Sequence, residues 1–203
     1  MIAPPVRRAL PRGRCRACAF PSSHCICDRI PSLSVPVRFT ILRHASEIPR
    51  LTSTARWAAL ALPGTEIVDY ALSGAPFDDA GLGAEGTWVL FPSARPTPPG
   101  AASPLRIVVP DGTWQQARRM VHRVRALQTL PRLSLPPSPP TAPPTARLRR
   151  PPRAGGMSTL EAMAAALRFL GHEDEADRLH GLHTAAIEQA SRLGIRAATG
   201  YRL

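Results

Sequence analysis

The stretch Val108-Val109-Pro110-Asp111-Gly112-Thr113-Trp114-Gln115-Gln116-Ala117-Arg118-Arg119-Met120 decides the fold. Leading into it, Leu105-Arg106-Ile107-Val108-Val109 has the nearly unbroken apolar, β-branched composition of a strand buried on both faces. Pro110-Asp111-Gly112 stops that strand. The chain then places Trp114, Ala117, Met120, Val121, Val124 and Leu127 at helical spacing, with Arg118, Arg119, His122, Arg123 and Arg125 over much of the remaining surface. The apolar stripe reads as core packing. The arginines fit either simple solvation or contact with RNA. In an open α/β sheet, a strand that turns straight into a helix does so at the carboxyl edge, where ligands bind. This junction therefore gathers a carboxylate (Asp111), a hydroxyl (Thr113) and an indole (Trp114) where chemistry is expected.

The same alternation extends in both directions. Val35-Pro36-Val37-Arg38-Phe39-Thr40-Ile41-Leu42 reads as a first strand, followed by the polar loop Arg43-His44-Ala45-Ser46-Glu47. The spacing predicts a helix from about 51 to 62, ended by Pro63-Gly64. Glu66-Ile67-Val68-Asp69-Tyr70-Ala71-Leu72 alternates as a second strand. Thr87-Trp88-Val89-Leu90-Phe91 is a short buried strand stopped by Pro92-Ser93. Residues 131–153 are proline-rich and predict a loop, with no regular helix or central strand. Two helices close the chain, one from about 159 to 170 and one from about 173 to 193. The fold class is thus α/β, a mainly parallel sheet with helices on both faces.

Two helix starts share a pattern. Thr113-Trp114-Gln115-Gln116 and Ser158-Thr159-Leu160-Glu161 both fit the capping box, in which side chains satisfy the free amides of the first turn. Capping alone accounts for these residues. A helix start is also a ready anion site, through its amides and dipole, and two such starts near one sheet edge could hold a ligand with Asp111 facing a reacting atom.

The chain of 203 residues carries 26 Lys+Arg against 14 Asp+Glu, a net charge of +12. That excess points to a polyanion, and nucleic acid is the commonest. Every one of those cations is arginine, and there is no asparagine, as a GC-rich coding bias would produce. No apolar run approaches the length of a membrane span. Residues 1–14 hold arginines and prolines but no continuous apolar segment, so the expectation is a soluble cytoplasmic protein. All four cysteines fall in Cys15-Arg16-Ala17-Cys18 and Cys25-Ile26-Cys27. Two disulfides or a redox pair are the alternatives. Four thiols within thirteen residues instead suggest a closed tetrahedral Zn²⁺ site that is structural, leaving His24 as a bystander. The organisation expected is a zinc knuckle over residues 1–30 and a catalytic domain over 31–203.

Taken together, these motifs resemble the DTW-domain family, bacterial tRNA-uridine aminocarboxypropyltransferases related to the SPOUT methyltransferases. Cys15-x-x-Cys18 with Cys25-x-Cys27 is similar to the family's cysteine knuckle. His44 and Glu47, with Thr54-Ala55-Arg56, resemble its block after the first strand. Phe91-Pro92-Ser93 resembles its strand-end turn. Asp111-Gly112-Thr113-Trp114 is the namesake motif, and Arg147-Leu148-Arg149 with Ser158-Thr159-Leu160-Glu161-Ala162 resembles the closing signature. Ala146 departs from the pattern, standing where family members often have an aromatic.

The resemblance implies a SPOUT-like fold, with or without a backbone knot, since a knot leaves no mark in residue periodicity. It implies transfer of the 3-amino-3-carboxypropyl group of S-adenosylmethionine to N3 of a uridine in tRNA. Asp111 is the candidate base. Phe91, Pro92, Ser93, Thr113, Trp114, Ser158, Thr159 and Glu161 are candidate contacts for S-adenosylmethionine. Trp114 would either lie against the sulfonium or adenine, where aromatic contact is worth about 0.5–2 kcal/mol, or pack in the core. His44, Arg56, Arg118 and Arg149 are candidate contacts for RNA or substrate, and the arginines beside the knuckle for phosphates. Two other classes remain: a methyltransferase acting on RNA, and a non-catalytic zinc-bearing RNA-binding or ribosome-assembly factor.

Overall fold

A computed structural model describes residues 13–50, 52–72, 76–95, 97–98, 100, 103–136 and 156–194. Five strands form one sheet: β1 (Arg38–His44), β2 (Glu66–Tyr70), β3 (Thr87–Leu90), β4 (Arg106–Asp111) and β5 (Arg132–Leu133). Their order is β2-β1-β4-β3-β5, and every neighbouring pair is parallel. The helices are α1 (Thr54–Ala61), α2 (Trp114–Arg123), α3 (Arg125–Thr129), α4 (Thr159–Phe169) and α5 (Glu173–Arg192). An α/β fold with a parallel sheet was the expectation, and it is what forms.

Strand parity assigns the layers. On one face Phe39, Ile41, Ile107 and Val109 pack under α1, α4 and α5. On the other, Leu42, Val89 and Val108 pack under α2 and α3. Both faces being covered explains the unbroken apolar run Ile107-Val108-Val109, every residue of which is buried. Each such side chain contributes about 1.5–3 kcal/mol relative to exposure.

Pro110 sits in a central strand, where an imino residue is normally excluded. The amide of Arg106 points to Gly86, at the start of β3. By the two-residue period the nitrogen of Pro110 faces the same side, and β3 pairs with β4 only as far as Val89↔Val108. Its missing N–H therefore breaks no ladder bond. The open flank it creates lies beside Asp111.

The cysteine segment belongs to the same core. Cys18, Phe20 and Ile26 join the apolar cluster under α1, α4 and α5. Phe20 stacks on Trp57 with ring centroids 5.3 Å apart, and the Trp57 indole N–H donates to the Cys18 carbonyl at 2.9 Å.

Two local differences from the sequence reading have clear causes. Periodicity runs on to Leu127, yet the helix breaks at Val124, because the Asp79 carboxylate from a distant loop accepts the Ala126 N–H at 2.9 Å and starts α3 afresh. The proline-rich segment was expected to be loop throughout, but Arg132 and Leu133 add an edge strand against Val89 and Leu90. Beyond 136 that segment, Arg149 included, lies outside the described residues until 156.

Candidate functional site

The connections leave β1 toward β2 on one side and β4 toward β5 on the other, passing β3. The crevice between the carboxyl ends of β1 and β4 is therefore the topological switch point of the sheet, where open α/β folds bind ligands. Asp111 ends β4 at this point and is only 7% exposed. The Thr159 hydroxyl, first residue of α4, donates to Asp111 Oδ1 at 2.5 Å. The Asp-x-x-Trp junction and the Ser-Thr-Leu-Glu helix start, 48 residues apart in sequence, thus meet at one carboxylate.

The register adds a pair that sequence reasoning missed. Arg43 lies opposite Asp111 on one side and Asp69 on the other. It forks onto Asp69 through Nε at 2.7 Å and Nη2 at 3.1 Å. Both side chains are less than 15% exposed (12% and 14%). The available signal was parity. Phe39 and Ile41 point to the core, so Arg43 continues an inward row, and Asp69 does the same after Ile67.

The loops after β1 and β4 are tied across the crevice. Gln116 Nε2 donates to Ser46 Oγ at 3.1 Å, while Gln116 Oε1 accepts the Thr113 N–H at 2.8 Å. The Ser46 N–H donates to His44 Nδ1 at 3.2 Å. The same ring nitrogen lies 2.9 Å from Ser46 Oγ, so His44 is held against the loop that follows it. A Cβ on Gly112 would lie 3.0 Å from Gln116 Oε1 and 3.3 Å from His44 Cβ, so any larger residue would press the two loops apart by a few tenths of an ångström.

Both capping boxes form. Thr113 accepts the Gln116 N–H, Ser158 accepts the Glu161 N–H at 3.3 Å, and Glu161 returns to the Ser158 N–H at 2.8 Å. Glu161 also faces His183, buried 3.9 Å away. These polar side chains are committed to helix starts, so any ligand contact they make is shared with that task.

The start of α1, on the β1 side of the crevice, is different. Ser53 occupies its N-cap without capping it. Ser53 Oγ and Arg56 Nη1 are both buried with no hydrogen-bond partner among the described residues. Burial lowers the Arg56 pKa, and the neighbouring Arg43 guanidinium pushes the same way.

Elsewhere along the edge, Phe91 and Trp114 stack with centroids 5.1 Å apart, and Arg132 Cζ lies 6.0 Å from the Phe91 ring centre. Trp114 is half-buried and packs beneath α2. The Ser93 N–H donates to Ser134 Oγ at 2.9 Å, joining the loops after β3 and β5, whereas Pro92 and Ser93 are exposed. Arg118 lies on the outer surface of α2, away from Asp111's face of the sheet.

The four cysteines converge. Their sulfur atoms all lie within 4.8 Å of one another, with Cys15–Cys27 at 3.5 Å and Cys18–Cys25 at 3.7 Å. A tetrahedral Zn–S distance of about 2.3 Å requires sulfurs about 3.8 Å apart. A disulfide needs about 2.05 Å. The cluster fits a tetrathiolate metal site, and zinc is the metal whose chemistry suits it. Amides of Cys18 and Ala17 aimed at the Cys15 sulfur lower its pKa to about 6, while burial raises Cys18 and Cys27. His24 bonds Ser23 instead.

Charge is sorted between the faces. α2 carries Arg118, Arg119, His122 and Arg123 and no acid, and they line an open hollow of about 330 Å³ with Gln115. α5, on the opposite face, carries five of the chain's 14 acids. Among the described residues the α2 arginines form no ion pair. No helix of the described residues is long and apolar enough to cross a membrane.

These features define an α/β protein whose parallel sheet carries a buried carboxylate at its switch point, with a four-cysteine cluster able to hold a metal built into its core. The chain belongs to the DTW-domain family, the DTW domain matching residues 12–191. This is a family of tRNA-modifying transferases. No solved structure matches the chain.

Proposed function

We propose that this protein transfers the 3-amino-3-carboxypropyl group of S-adenosylmethionine to N3 of a uridine in tRNA. The observation that carries the reading is the Thr159–Asp111 hydrogen bond at the switch point, which unites the two most family-specific segments around one buried carboxylate. N3 of uridine is a poor nucleophile while protonated. Asp111 accepts that proton as the N3–C bond forms, help that typically contributes 10²–10⁴-fold. Thr159 orients the carboxylate, and Arg43 stands opposite it in the strand register while forking onto Asp69. S-adenosylmethionine supplies an electrophilic carbon next to a sulfonium, which departs as neutral methylthioadenosine and needs no acid.

Phe91, Pro92, Ser93, Thr113, Trp114, Ser158 and Glu161 are assigned to the walls of that nucleotide's pocket. His44, Arg118 and Arg149 are assigned to RNA, together with the basic face of α2 and the knuckle arginines. The target uridine must be unpaired, because pairing occupies N3. Residues 1–30 serve as a structural zinc unit, residues 31–203 carry the chemistry, and a tRNA substrate places the protein in the cytoplasm. Asp111→Asn tests the assignment. It should abolish product formation while tRNA affinity stays within about threefold of the parent, as expected for loss of a general base without loss of binding. Undiminished turnover removes Asp111 as the base.

A further inference from the structure

Among the helices that begin at the carboxyl edge, α2 and α4 are closed by their own side chains and α1 is not. Ser53, at the α1 N-cap, is 2% exposed, and its hydroxyl has no hydrogen-bond partner among the described residues. Three residues on, Arg56 buries Nη1 with no acceptor. Native interiors pair such groups almost without exception, and an orphan marks a place where a water, ion or ligand belongs. The amides of Thr54 and Ala55 have no intrahelical acceptor either, whereas that of Arg56 donates to the Ser53 carbonyl at 3.2 Å.

The surrounding charge points to the sign of the ligand. Arg43 stands close enough to lower the Arg56 pKa, after the effect of burial itself. The only ion-pair partner of Arg43 among the described residues is Asp69, whose two oxygens it occupies. Asp69 is thus taken up by Arg43, and Arg56, which has only the Cys18 thiol near it as a group of opposite sign, keeps Nη1 without an acceptor among the described residues. A guanidinium is an effective receptor for carboxylate or phosphate because its donors match two oxygens at once. The helix start adds a partial positive charge and convergent N–H groups.

We propose that the start of α1 is a seat for a substrate oxyanion, received by Arg56, the Ser53 hydroxyl and the first-turn amides of the helix. The seat lies on the β1 side of the crevice and Asp111 on the β4 side, so an anion held there anchors a substrate across the reacting point. Its two candidate sources rest on the tRNA-modifying reading: the carboxylate of the S-adenosylmethionine arm, or a phosphodiester beside the target uridine. A held carboxylate fixes which carbon faces the nucleophile. A held phosphate fixes the base.

The test uses the full chain with Arg56→Gln and, separately, Ser53→Ala, a change that removes one hydroxyl and no charge. Binding of S-adenosylmethionine and of methylthioadenosine, which lacks the amino-acid arm, is measured by calorimetry, and tRNA binding by filter titration across salt. If the seat takes the carboxylate, Arg56→Gln weakens S-adenosylmethionine about 10–100-fold and leaves methylthioadenosine unchanged, the loss expected for a hydrogen-bonded charge. If it takes a phosphate, S-adenosylmethionine binding is unchanged and the slope of log K against log salt for tRNA falls by about one. In either case Ser53→Ala weakens the same ligand in the same sense and does not melt below the parent, because its hydroxyl has no hydrogen-bond partner among the described residues to lose. Unchanged binding of both ligands in both variants overturns the seat, and so does a lowered Tm with unchanged binding, which would mean a purely structural role. Failure of the parent protein to bind S-adenosylmethionine counts against the transfer reading instead, and the tRNA arm then decides the seat alone.

Discussion

Removing Asp69 should cost far more than its position on an outer strand suggests. The Arg43–Asp69 fork is made by two side chains at 12% and 14% exposure, so solvent screens it little. Breaking a buried pair by deleting one partner typically costs about 3–5 kcal/mol, because the survivor is left charged and dry. Here Asp69→Leu strands Arg43 beside Arg56, a second guanidinium, while the small remaining exposure relieves some of the penalty. A loss of about 3 kcal/mol is expected, which for a chain of this size lowers Tm by about 6–12 °C. Arg43→Met, which strands Asp69 instead, should cost a similar amount. The double variant should return to within about 1 kcal/mol of the parent, since two apolar groups can replace a buried pair at little cost. Urea melts of the four proteins complete the cycle, and a coupling of about 5 kcal/mol is expected, the double loss less the two single losses. Single variants within about 0.5 kcal/mol of the parent, or a double variant whose loss is the sum of the singles, would refute the reasoning.

Four further outcomes follow from the same geometry. Stripping zinc should destabilise the whole chain and shift Trp57 emission to the red, since Trp57 stacks on Phe20 and bonds the Cys18 carbonyl; fluorescence and melting before and after chelation check this, and an unchanged Tm contradicts it. Returning zinc near pH 7.5 should release about two protons or more by a dye assay, because Cys18 and Cys27 are raised by burial while Cys15, lowered to about 6, has already ionised; the release should grow as pH falls through about 6, where Cys15 also is protonated before metal binds. Gly112→Ala should cost about 1–3 kcal/mol by chemical denaturation through crowding of Gln116 and His44, with turnover falling further as the tie between the two loops opens. Replacing Arg118, Arg119 and Arg123 together by alanine should reduce the salt slope of tRNA binding by about two to three; an unchanged slope makes the basic face of α2 a solvated surface and nothing more.

Much of this was legible in the chain because local physics dominates it. The run Ile107-Val108-Val109 can only be a strand covered on both faces, and the Thr113 and Ser158 boxes announce helix starts with residue-level accuracy. That Asp111 and Ser158 share an edge follows from strand–helix alternation, and the Thr159 contact makes it concrete. Strand order was not legible. Nothing local says that β4 lies between β1 and β3, so the Arg43–Asp69 fork, which depends on register, stayed hidden although both residues fall at inward positions. The break at Val124 was equally out of reach, because the group that starts α3 is Asp79, 47 residues away. The idle N-cap of α1 could not be foreseen either. Ser53 has the composition of a capping residue, and only its geometry shows that it does not act as one.

The co-product decides the chemistry most directly. Purified protein, unmodified tRNA and S-adenosylmethionine are incubated, then nucleosides and small molecules are analysed by mass. The account predicts methylthioadenosine in amounts matching a uridine that has gained an aminocarboxypropyl group, with both absent for Asp111→Asn. S-adenosylhomocysteine with a methylated nucleoside, or no turnover of a folded, zinc-loaded protein, would contradict it.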